Sequence, residues 1–449
     1  MMVITYVSFI ILSIGCLALV FWTNKQKNQP PIGNNPSFIK FQNGYFAAYF
    51  LALAADWLQG PYLYKLYSHY GFLEDQIAVL YVCGFVSSVL LGTWAPIAAD
   101  RFGRQKLCLL FTLMYSLACF LKLSRSYGIL IIGRVLGGVS NSLLFTAFEA
   151  WYVHEHMETH DFPKEWIQVT FAKASMWNGI IAIIAGVVAN ASTEWLSLGP
   201  VSPFMLAVPC LIASGVVVGT QWKENYGTRK IQFMKSFQGG LKVIGTDQRI
   251  FLLGTISSLF ESVMYIFVFI WTPVLDPGKP SLGITFSSFM VCIMIGNTLY
   301  QLLTLKKVTV TNLLATAALL ALASSVLCVL STHPDKTNRN LSFIAFLVME
   351  VAVGLYFPAM TFMRSKIIPE AHHISIMNFF RVPLNFCACF ILMMMHDPNF
   401  RHGNRLIFVV CTVLMGVCVG AVYSLIALIK NDEELKAKPN DDGSSSVLV

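Results

Sequence analysis

Six charged side chains, Asp56, Arg134, Lys173, Glu261, Glu350 and Arg381, stand inside stretches that are otherwise apolar. At the centre of a bilayer helix each costs roughly 2.5–3.5 kcal/mol, so six unpaired ones would cost on the order of 15–20 kcal/mol. They must therefore pair with one another or face a water-filled path. The bases can donate hydrogen bonds to an anion, Arg as a planar fork and Lys as a point charge. The acids can exchange protons or hold the bases in place. This is chemistry of binding and charge movement across a membrane.

The elements that carry these residues are long and apolar. The chain has 449 residues, 56% of them hydrophobic and 12% charged, with a mean hydropathy of +0.65. That composition excludes a water-soluble globule. Runs near the roughly 20 residues needed to cross a bilayer follow almost end to end. The first lies at 3–22. Six more lie at 44–67, 75–97, 107–122, 127–152, 165–190 and 201–221. After a polar stretch come 249–274, 283–305, 310–331, 341–364, 373–395 and 405–430. These runs lack the alternation of barrel strands, so the expected class is an all-α membrane protein. Its parts are an extra N-terminal anchor (1–24), a first six-helix bundle (44–221), a linker (222–248), a second six-helix bundle (249–430) and a disordered tail (431–449).

Charge sets the expected orientation. Met1 to Val20 carries no charged side chain, while Lys25 and Lys27 follow directly. That order favours a retained anchor with its N-terminus outside. Arg101, Arg104, Lys106, Arg229, Lys230, Lys306, Lys307, Arg364 and Lys366 then gather at cytosolic ends, and the C-terminus is cytosolic. Lys122 and Arg125 run against this bias, in a short outer loop. The net charge of +8 is thus a topological signature and points to lipid, with no nucleic-acid partner implied. All eleven cysteines lie in apolar spans and read as small buried hydrophobes. Sequons at Asn190 and Asn340 fall on the outer side, close to span ends. His154, His156 and His160 with Glu155 have no metal-specific spacing, so no metal or other cofactor is expected.

The two sets of six echo each other. Asp56 in the first span of one half answers Glu261 in the first span of the other. Arg134 is followed four residues later by Gly138, and Glu350 by Gly354. Lys173 follows Phe171-Ala172, and Arg381 follows Phe379-Phe380. Such weak internal symmetry is expected of a carrier with its site between two repeats.

Between the second and third spans of the first half runs Ala99-Asp100-Arg101-Phe102-Gly103-Arg104-Gln105-Lys106. Physically this is a tight turn in which Gly103 supplies backbone freedom and Asp100 can cap a helix or pair with Arg101 and Arg104. Together with Arg134 and Gly138, it resembles the signature motifs of the major facilitator superfamily. Pro96 stands where that pattern usually has glycine, and the second half keeps only Lys306-Lys307. Longer stretches resemble the molybdate-carrying branch of that superfamily: Tyr49 to Tyr67, Phe148 to His156, Leu259 to Ser262, Trp271 to Pro277 and Phe380 to Pro383, with the extra N-terminal span. The resemblance covers nearly the whole chain. It implies a major facilitator fold of two pseudo-two-fold-related bundles, alternating access without covalent chemistry, and uptake of molybdate at the plasma membrane. It also implies that Asp100, Arg101, Gly103 and Arg104 form a latch between the halves.

A tetrahedral dianion needs cationic donors. Lys173 and Arg381 are the candidate ligands, with Asn178, Asn378 and Asn385 as neutral donors and Tyr265, one turn from Glu261, facing the cavity. In the competing arrangement Lys173 and Arg381 are structural partners of Asp56 or Glu261. The six intramembrane charges sum to zero, which attracts a dianion poorly. Moving two negative charges into a negative interior costs roughly 4.6 kcal/mol per 100 mV. Protons carried on Asp56 and Glu261 would offset both, so proton symport is expected. Arg134 and Glu350 read as a structural or gating pair between halves. Rival readings are the same machinery carrying sulfate, another small anion or a sugar, and a non-transporting receptor or scaffold.

Overall fold

A computed structural model describes residues 1–26, 35–92, 94, 98, 101–226, 233–333, 337–369, 373–394 and 405–437, without the side chains of 91, 233–238, 373–375, 378 and 432–437. The helices are α1 (Met2–Gln26), α2 (Pro36–Gln59), α3 (Leu63–His69), α4 (Glu74–Gly92), α5 (Arg104–Leu121), α6 (Tyr127–His154), α7 (Glu165–Asn190) and α8 (Ser202–Gln221). There follow α9 (Phe233–Thr246), α10 (Gln248–Leu275), α11 (Leu282–Leu305), α12 (Val310–Ser331), α13 (Arg339–Ile367), α14 (His373–Met393) and α15 (Arg405–Ala437). Among the described residues, ten helical stretches are long and apolar enough to cross a bilayer by length and composition. The helices α2, α4 and α14 pack inside the same bundles.

Local chemistry sets the helix ends. The Asn35 side chain accepts from the Ser37 and Phe38 amides and Pro36 opens the helix, so α2 begins eight residues before the expected span at 44. Pro61 has no N–H to donate, and the chain tightens into a 3-10 turn at Gly60–Tyr62 before resuming as α3. The expected unbroken span 44–67 is therefore two helices. At the matching place in the second half, α10 runs through Pro273 and ends in a 3-10 turn at Asp276–Gly278.

The first half packs in the order α7, α2, α8, α5, α6, α4, and the second joins α14, α10, α15, α12, α13 and α11. Two seams connect them, α7 against α11 and α4 against α14. Small residues allow the close approaches. A Cβ at Gly138 would meet Gly84 and Ser87 of α4, and one at Gly354 would meet Gly296 and the Ile293 carbonyl of α11. The matched glycines following Arg134 and Glu350 thus do the same packing job in each half. The extra helix α1 lies on α11, burying Thr5, Cys16 and Thr23 and exposing Val3, Ile10, Ile14, Leu17 and Phe21 on its other side. All eleven cysteines are unbridged.

Candidate functional site: a closed seam and a cationic gap between the halves

Contacts between the halves gather at one end, called here the closed end; the opposite end, where the linker runs, is the linker end. At the closed end, Lys65 of α3 reaches the Asp276 carboxylate at 2.6 Å. Glu194, just beyond α7, accepts from Tyr62 at 2.9 Å in its own half and from Ser281 at 2.6 Å and the Leu282 amide at 3.1 Å across the seam. The Asn190 oxygen accepts from Tyr62, Ser281 and the Gly283 amide. Asn190 is fully buried, so this sequon is consumed by the seam, whereas Asn340 is exposed. The extra helix joins the same network: Tyr6 shares a hydrogen bond with Ser281 at 3.2 Å and accepts from the Trp195 indole at 3.0 Å. Below this polar layer lies an aromatic one. Phe269 of α10 meets Tyr64 and Tyr81 edge-on, Tyr265 lies 5.0 Å from Phe85, and Trp57 lies 6.0 Å from Phe286.

Toward the linker end the described side-chain contacts remain within each half. The Phe102 turn carries Gly103 at φ +101°, a conformation that favours glycine, and a side chain there would collide with the Glu224 carboxylate. Glu224 accepts from the Gln105 and Lys106 amides at 3.0 and 3.3 Å, an acid seated on the N-terminus of α5. The Arg104 amide donates to the Asn225 carbonyl, and the Arg101 guanidinium lies over the Phe102 ring. The described part of the signature loop is thus tied to its own half; Asp100 and Pro96 lie outside the described residues. Glu224 was expected only as a solvated linker charge, because sequence does not show that it returns to a helix start.

Helical geometry separates the two candidate bases. On α7, Thr170 and Asn178 face α2, while Gly179, Ile183 and Gly186 face α11. At about 100° per residue, Lys173 falls on neither face but on the flank of Trp177 and Ile184, which are 44% and 56% exposed. Ile184 lies where the halves touch, so that flank faces lipid. Lys173 donates to Gln42 Oε1 at 3.1 Å, and Gln42 donates on to Thr170 at 2.8 Å. This placement makes Lys173 a long side chain on the outer flank, its head held between α2 and α7.

Arg381 faces the other way. On α14, Phe380 and Leu384 pack on α10, where their carbonyls accept from Ser258 and Ser262. Phe386 and Phe390, 71% and 59% exposed, mark the lipid flank. Arg381 lies about 140–180° from them. It is exposed on the flank that turns toward the other half and lies within electrostatic reach of Tyr265. Among the described residues its guanidinium has no hydrogen-bond or ion-pair partner. Asn385 donates to the Arg381 backbone carbonyl at 2.7 Å, which uses one of its donors within α14. The Asn378 side chain lies outside the described residues. Asn178 accepts from the Trp57 indole at 2.7 Å.

The acids are satisfied separately. Asp56 accepts from Tyr115 at 2.5 Å, with Asn141 as a second hydrogen-bond partner and Lys122 within electrostatic reach. Glu261 accepts from Arg364 at 2.7 Å, Ser257 at 2.9 Å and Tyr356 at 3.0 Å. Arg364 also donates to Ser257. Neither acid pairs with Lys173 or Arg381. Sequence assigned Arg364 to a cytosolic end and Lys122 to an outer loop. Instead Lys122 is 3% exposed, bonded to Gln59 at 2.5 Å and lying over the Phe204 ring. The expected Arg134–Glu350 pair does not form. Arg134 donates to the Leu80 carbonyl and lies 5.0 Å above the Tyr81 ring, whereas Glu350 is near Cys292 of α11. Packing glycines four residues on had made two residues with separate surroundings look like partners.

At the linker end of α6, His156 is fully buried, its Nε2 2.9 Å from the Pro163 carbonyl and its Nδ1 3.3 Å from the Tyr152 hydroxyl. It is a packed, hydrogen-bonded residue.

Comparison with known proteins agrees with this architecture. Residues 4–369 match a family described as sugar transporters with twelve transmembrane segments. A molybdate-anion transporter from Xenopus tropicalis is 50% identical over 404 residues, covering 90% of this chain and 89% of that protein. One from Danio rerio is 44% identical, covering 97% and 98%. Among solved structures, a bacterial homologue of the human lysosomal transporter Spinster, in an inward-facing and unoccupied conformation, superposes with a TM-score of 0.68. It is 13% identical and covers 89% of this chain and 99% of that one, a likeness of fold alone. The shared sequence, the two six-helix bundles and the extra N-terminal helix leave one conclusion: this chain belongs to the molybdate-anion transporter family of the major facilitator superfamily.

Proposed function

We propose that the protein carries molybdate into the cell by alternating access, with Arg381 as the principal cationic ligand. The observation that carries this reading is the placement of Arg381. Its guanidinium is exposed between the halves and unpartnered among the described residues, in a chain half-identical to transporters named for molybdate. Guanidinium suits a tetrahedral oxyanion because its fork can meet two oxygens at once. Tyr265 and Asn178 contribute neutral groups along the same path, and Asn385 supports the backbone beneath Arg381.

With the Lys/Arg bias fixing the linker end in the cytosol, the closed end faces outside, in the plasma membrane. The N-terminus then lies outside and the described state is open toward the cytosol. Opening outward requires the Lys65–Asp276 and Glu194–Ser281 contacts to separate. The Gly103 loop, tied to Glu224 here, would then be available to the other half. Protons accompany the anion, and Asp56 is the proposed exchange site because its hydrogen-bond partners are neutral. Glu261, bound by Arg364, has a structural role.

Purified protein in liposomes, given an inward molybdate gradient with sulfate as competitor, tests the substrate. Accumulation that sulfate suppresses only in large excess supports molybdate; absence of uptake overturns it. Glucose competition in the same assay scores a sugar as the rival substrate. Uptake that ignores both pH and an uncoupler would discard proton symport.

A further inference from the structure

Trp57 of α2 stands where α2, α7 and α11 meet. Its ring lies 6.0 Å from Phe286 of α11, and its indole N–H donates to Asn178 Oδ1 at 2.7 Å. An indole nitrogen can only donate, so the Asn178 amide must turn its oxygen toward Trp57. Its NH2 group, carrying two donors, then faces away from Trp57. Among the described residues no partner takes those donors. The next residue, Gly179, lies against Met294 of α11, so the amide sits at the seam between the halves, below the aromatic layer.

We propose that Trp57 is a positioning residue that locks Asn178 with its donors toward the substrate path, making that part of the path selective for a fully deprotonated oxyanion. This rests on the reading of the protein as a molybdate carrier. An unrestrained amide presents an acceptor as readily as a donor, and an acceptor repels an anion. Molybdate offers only acceptors. A sugar hydroxyl can match either face. A fixed donor therefore favours the anion over the hydroxyl-bearing solute, and sequence cannot reveal it because Trp57 reads as packing.

The test uses full-length protein in liposomes with radiolabelled molybdate. Trp57→Phe keeps the ring against Phe286 and removes only the N–H. It should raise KM about ten-fold, because the freed amide can turn its oxygen toward the anion and forfeit one charge-assisted hydrogen bond, with Vmax and melting temperature unchanged. Asn178→Asp, equal in size but without donors, should abolish molybdate uptake while the protein still folds. A Trp57→Phe protein with unaltered KM overturns the inference, as does one that loses only Vmax or thermal stability. Should the wild type carry no molybdate, the functional reading falls, and titration with molybdate, sulfate and tungstate then decides the inference. Binding weakened about ten-fold by Trp57→Phe upholds it, and no binding, or binding unaffected by that change, overturns it.

Discussion

In the first half, Asp56 is met by a phenol and an amide, with its nearest cation, Lys122, bonded elsewhere to Gln59. In the second, Glu261 at the matching place is met by a guanidinium, a hydroxyl and a phenol. The two bases that follow the same pattern of aromatic residues also diverge: Lys173 lies on a lipid flank and Arg381 on the flank facing the other half. The repeats share their backbone plan, and the halves differ in which polar groups that plan leaves unpaired. One half keeps an acid with neutral partners, the other a base with none described. The proposed proton-coupled mechanism needs that division, because two fully paired halves would offer neither a proton site nor an anion site.

The largest effect should come from splitting the closed pair. Arg364→Ala leaves Glu261 buried without its counter-charge and should cost about 3–5 kcal/mol of stability. The double change Arg364→Met with Glu261→Gln should recover most of it, as measured by thermal unfolding in detergent. Equal losses in the single and double variants would show that the pair is not the source.

The bases come next. Arg381→Ala should reduce molybdate uptake about a hundred-fold, consistent with losing charged hydrogen bonds worth about 1.5–3 kcal/mol. Lys173→Ala should leave uptake within about two-fold, since loss of one lipid-flank contact is a minor change. Equal effects would erase the distinction between the two flanks. Asp56→Asn keeps the Tyr115 contact and should preserve anion binding while removing the pH dependence of uptake. If Glu261→Gln removes it instead, the assignment of the two acids is reversed.

The smallest effect lies in the linker. Asp247 caps α10, accepting from the Arg249 amide at 2.8 Å. The Arg249 side-chain hydrogen bond holds its carboxyl below the usual carboxylate range. A depressed folded value gives stability that is present above the ordinary carboxylate range and lost as pH falls through the folded one. Asp247→Ala should cost about 1 kcal/mol at neutral pH. The gap from wild type should narrow on acidification, read as converging melting temperatures.

The broken first span shows how local rules and packing divide the account. Asn35-Pro36 and Gly60-Pro61 contain the helix start and the interruption, because capping and the missing proline N–H act within a few residues. Arg364 and Lys122 do stand at helix ends, but charge counting registers where a side chain begins and ignores where it ends. Each has a flexible stem long enough to fold inward. Arg134 and Glu350 were paired because the glycines that follow them repeat, and those glycines record helix contact alone.

Sequence alone determined the membrane class, the two sets of six spans, the extra helix and the intramembrane charges, since burial of polar groups in lipid is too costly to be disguised. Tertiary structure decided which charges meet, because one residue along a helix turns a side chain by about 100°. Phe380 packs on α10 while its neighbour Arg381 turns toward the other half, and Ala174 is buried while its neighbour Lys173 lies on the lipid flank. That rotation becomes visible only once the neighbouring helices are in place.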